Sequence, residues 1–181
     1  MQLALDTVCS CFPDHYAIRQ YGYIRNTLLA YPVLYEESYT WKENLLYIAR
    51  TDILPKTNLP ENMSLICVSR RLPKEWADSN NHIILLLNDT TVFSAFNTVF
   101  AIFQDFQNWE RRLLTELGKD NDFDIQTFLR LGEEKLQNPI SVSDSALRII
   151  LTSDTKQQNN PPSIDKTINI SADFFPRIQD F

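Results

Sequence analysis

Two short runs, Leu65-Ile66-Cys67-Val68 and Ile83-Ile84-Leu85-Leu86-Leu87, contain no polar residue and are flanked by polar ones. A strand with one wet face alternates apolar and polar residues. A continuous apolar run too short for an ordinary helix reads instead as a strand buried on both faces, the situation in a parallel sheet. Parallel neighbours need crossovers, and Pro73 to Ala77 leaves room for a turn or a short helix between the two runs. Leu45 to Ala49 reads as a third strand and Tyr16 to Ile18 as a weaker one. Leu28 to Tyr35 is apolar but broken by Pro32, which places it at a sheet edge or a bulge, where a missing N–H is tolerated. Gln2 to Phe12 spaces Leu3, Leu5, Val8 and Phe12 as on a short helix ended by Pro13. These segments predict an α/β fold over residues 1–90: a small, mostly parallel sheet with short crossover helices.

The period then changes. After Asp89 or Thr90, either of which can cap a helix, come Val92, Phe96, Val99, Phe103, Phe106, Leu113 and Leu117. Their steps of three and four residues, broken near Trp109, predict a long amphipathic helix with a coiled-coil type of seam. Phe93, Phe100 and Leu114 form a second apolar set that widens the face. Some 25 residues of helix run about 37 Å, longer than a small sheet can cover. The seam is therefore expected to serve as a dimer interface, with the other face on the sheet. A second helix carries Ile125, Phe128, Leu129, Leu131 and Leu136 and stops at Asn138-Pro139. Residues 91–137 then form a dimerising linker. Ile140 to Ser143 and Leu147 to Leu151 read as a hairpin about an Asp144-Ser145 turn. A polar loop follows from Lys156 to Pro162, and a short Ser-capped helix near Ile170 to Phe175.

Several functions are disfavoured by composition. Only three glycines occur, Gly22, Gly118 and Gly132, so no glycine-rich loop can cradle a phosphate. With 17 Lys and Arg against 23 Asp and Glu the net charge is −6, and no basic face is available to displace counterions from DNA. Any DNA contact must come through a domain outside this chain. The three cysteines, with Cys9 and Cys11 in a C-x-C, fit neither a disulfide framework nor a zinc motif. No metal or cofactor is expected. No signal peptide or membrane span is evident, so a cytoplasmic protein is expected.

No catalytic residue is assigned. His15 and His82 stand in no nucleophile motif, and the pairs Glu36-Glu37 and Glu133-Glu134 diverge on any regular element. Asp144 is explained by bonding its own turn. For a ligand, α/β sheets bind beyond the carboxyl ends of their strands. There Arg50, Arg70 and Asn88 can meet a small anion, and Asp89 and Thr90 lie at a helix start.

Phe128 to Ser153, a helix leading into Asn138-Pro139-Ile140 and then Ser143-Asp144-Ser145, resembles a phrase of transcription regulators of the purine-catabolism (PucR) and sugar-diacid (CdaR) type. The strands with Tyr47 to Arg50, Ile66 to Val68 and Ile83 to Leu87, followed by a long helix, look like the N-terminal α/β domain of those proteins. Ile170 to Phe174 is similar to a segment that the family carries after the hairpin. The resemblance implies that residues 138–181 open a GAF-like sensory domain and that the helix-turn-helix lies outside these residues. It also implies a bacterial, homodimeric, non-catalytic sensor, with a small metabolite as effector. A small α/β enzyme and a protein-interaction adaptor are the competing readings.

Overall fold

The computed structural model describes residues 2–22, 27–37, 40–57, 59–87, 89–119 and 123–153. Strands form where the apolar runs lie. β1 (Leu3–Ala4) precedes α1 (Leu5–Ser10), and β2 (Ile18–Tyr21), β3 (Leu28–Leu29), β4 (Pro32–Leu34), β5 (Leu46–Arg50), β6 (Ser64–Val68) and β7 (His82–Leu86) follow, with α2 (Lys74–Ala77) between β6 and β7. The segment expected as one helix from Gln2 thus begins as a strand, because Leu3 and Ala4 pair antiparallel with Leu29 and Leu28. The run from Leu28 to Tyr35 splits in two, and Pro32 opens β4 at the sheet edge, where its missing N–H costs nothing.

The main sheet has five strands in the order β2-β7-β6-β5-β4. β4 to β7 are parallel neighbours, with Ile48, Ile66 and Ile84 in register, and β2 closes the far edge antiparallel, with Ile18 opposite Leu86. Successive parallel strands step in one direction, so right-handed crossovers all fall on one face. The residues bear this out. Tyr47, Ala49, Leu65, Cys67, Ile83 and Leu85 point to the crossover side, where Leu54, Met63 and Trp76 cover them. Leu46, Ile48, Ile66, Val68, Ile84 and Leu86 point to the other. Both faces are dry, as the two continuous apolar runs require.

The crossover loops are tied by buried polar groups. The Asn81 side chain accepts from Met63 N–H (2.8 Å) and donates to the Pro60 carbonyl (2.8 Å), and the Trp76 indole donates to the Pro55 carbonyl (2.8 Å). Gly22 has φ +82°, and a Cβ there would overlap the Asn81 carbonyl oxygen.

α3 (Val92–Leu117) covers the second face with α1, through Ala95, Val99, Ile102 and Phe103. Thr91 caps it, accepting from Ser94 N–H (3.0 Å), one or two residues later than the sequence reading placed the cap. The chain divides into two compact units, Met1–Arg111 and Arg112–Phe181, and the division falls inside α3. The second unit holds α4 (Ile125–Leu136) and an antiparallel hairpin of β8 (Ser141–Ser143) and β9 (Ile149–Thr152). Asp124 caps α4, accepting from Gln126 N–H (3.0 Å) and from the Thr127 hydroxyl (2.6 Å). Gln137, in the left-handed region at φ 54°, ends α4 just before Asn138-Pro139. Leu129 and Leu131 of α4 are buried, and Gln126 Nε2 donates to the Thr152 carbonyl (2.7 Å), holding α4 to β9. The polar loop from Lys156 to Pro162 and the short helix near Ile170 lie outside the described residues.

Candidate functional site

Two regions can carry function: the carboxyl edge of the sheet and the surface of α3. At the edge, Arg50 stands at the end of β5 but makes a bidentate pair with Asp52 (2.9 and 2.6 Å). Arg70, beyond β6, pairs with Asp89 (3.1 and 3.3 Å). Each guanidinium therefore already has a neighbouring carboxylate, so neither stands as a bare cation for a small anion. The structure brings Arg70 and Asp89 together, and it leaves Arg50 paired within its own strand end. Thr90 is half-buried, and Asn88 lies outside the described residues.

The same edge gathers hydroxyls that the sequence reading passed over. The Tyr16 hydroxyl lies 3.1 Å from Thr98 Oγ1, and the Thr98 hydroxyl donates to the Ser94 carbonyl (3.1 Å). Burial works to raise the Tyr16 phenol, but the hydroxyls of Thr98, Ser94 and Thr90 outweigh it and draw the group below its ordinary range. The cluster fixes Tyr16 against the first turns of α3. No periodicity announces it, because Tyr16 and Thr98 are far apart in sequence.

At the opposite edge a cavity of about 20 Å³ is bordered by Asp6, Gln20, Gly22 and His82, room for about one water. Cys9 and Cys67 are both pushed up to about 12, chiefly by burial, so their thiols are protonated at neutral pH. Among the described residues no group of three or more His, Cys, Asp or Glu is placed to hold a metal, and no helix is long and apolar enough to cross a membrane.

α3 turns its expected seam inward. Val99 and Phe103 are fully buried in the core of their own unit, and Val92, Phe96 and Phe106 are half-buried against it. Val99 and Phe103 are thus taken up by the core of their own unit, whereas Val92, Phe96 and Phe106 keep part of their surface outside it. Leu113 is half-buried and Leu117 exposed, both beyond the last turn that touches this core. What α3 shows to solvent is the second apolar set: Phe93 is 64% exposed, Phe100 43%, and Leu114 is exposed as well. Phe100 stacks on Phe96 (5.8 Å between centroids, planes 12° apart).

Comparison with protein-family models, with curated proteins and with solved structures yields no match.

Proposed function

We propose that this chain is the sensory and dimerising region of a cytoplasmic bacterial transcription regulator of the PucR/CdaR type, without catalytic activity of its own. On this reading its effector is a small metabolite, and its contact with DNA belongs to a helix-turn-helix domain outside these 181 residues, since a chain of net charge −6 has no basic face for phosphates. The observation that carries the reading is the placement of α3. Its first turns are core of the sheet unit, yet the helix runs on without a break into the second unit. A packed helix shifts as a body rather than deforming, so a change in packing at the sheet is passed along its axis. The resemblance of the Phe128 to Ser153 stretch to the family's phrase supports reading residues 138–181 as the opening of a GAF-like domain. The described thiols Cys9, Cys11 and Cys67 are free, in keeping with a reducing compartment. The test is the gene. Its reading frame is expected to continue past Phe181 into a helix-turn-helix segment, and a frame that stops there overturns this reading.

A further inference from the structure

We draw no further inference here: the strongest candidate, the exposed outer stripe of α3 that runs from Phe93 through Asn97 and Phe100 to Gln104, carries none because nothing in the structure shows what covers it.

Discussion

Gly22 and Asp144 each hold a turn by a different means. At Gly22 the backbone adopts φ +82° and passes so close to the Asn81 carbonyl that no side chain fits. G22A is expected to destabilise the chain by about 3 kcal/mol, read as a lowered urea midpoint with an unchanged slope. Asp144 works through charge. Its carboxylate accepts from the Ala146 and Arg148 N–H groups (2.9 Å each) and pairs with Arg148 Nε (2.7 Å), which holds Leu147 at φ 62°. The Arg148 backbone N–H leads in holding its carboxyl below the ordinary carboxylate range, and the Arg148 side chain and the Ala146 N–H add to this. A depressed carboxyl stabilises the fold in full above its unfolded value of about 4, and this is lost as pH falls through the lower folded value. Protection of the Ala146 and Arg148 amides, taken relative to the intrinsic exchange rate at each pH, is therefore expected to hold from neutral pH to about pH 4 and to fall below it. In D144N that acid-dependent step is expected to vanish; protection that ignores pH in the wild type would count against this account.

Element by element, the strands were legible because burial on both faces leaves an unbroken apolar run, as in β6 and β7, and α4 because its spacing and its stop are local. α3 was legible in extent but not in orientation. Val92-Phe96-Val99-Phe103 and Phe93-Asn97-Phe100-Gln104 share one spacing, and periodicity alone does not say which stripe meets the sheet. The more apolar stripe does, since the sheet face is the larger dry surface. The Tyr16–Thr98 contact was not legible, because only the fold brings those residues together, and the same holds for the Arg70–Asp89 pair, whereas Arg50 pairs with Asp52 only two residues along. The orientation of α3 has a measurable consequence. F103A empties a fully buried ring site and is expected to cost about 3–5 kcal/mol in thermal or urea unfolding at high dilution. F93A removes an exposed ring and is expected to cost less than about 1 kcal/mol under the same conditions. Equal costs would contradict the orientation described.

For the molecule as a whole, the two units differ in how much they bury. The first has dry cores on both sheet faces, whereas among the described residues of the second Leu129 and Leu131 are buried and Leu136, Leu147 and Ile150 are exposed. The described hairpin of the second unit has only two strands, which gives it less support than a five-stranded sheet. Native-state hydrogen exchange is expected to be slowest in β5, β6 and β7, opening only with global unfolding, and at least about tenfold faster in Ser141 to Thr152. Uniform protection across both would show that the hairpin gains support from elsewhere.

The strand order also bears on how the chain is made. Every crossover from β4 to β7 lies on one side, so that side is clothed as synthesis proceeds. The other side waits for residues 92–106. Until they leave the ribosome, Ile48, Ile66, Ile84 and Leu86 have α1 but lack their main cover. A nascent chain halted just after β7 should accordingly be a ready client for chaperones that grip apolar surface, and one halted a helix length later should not.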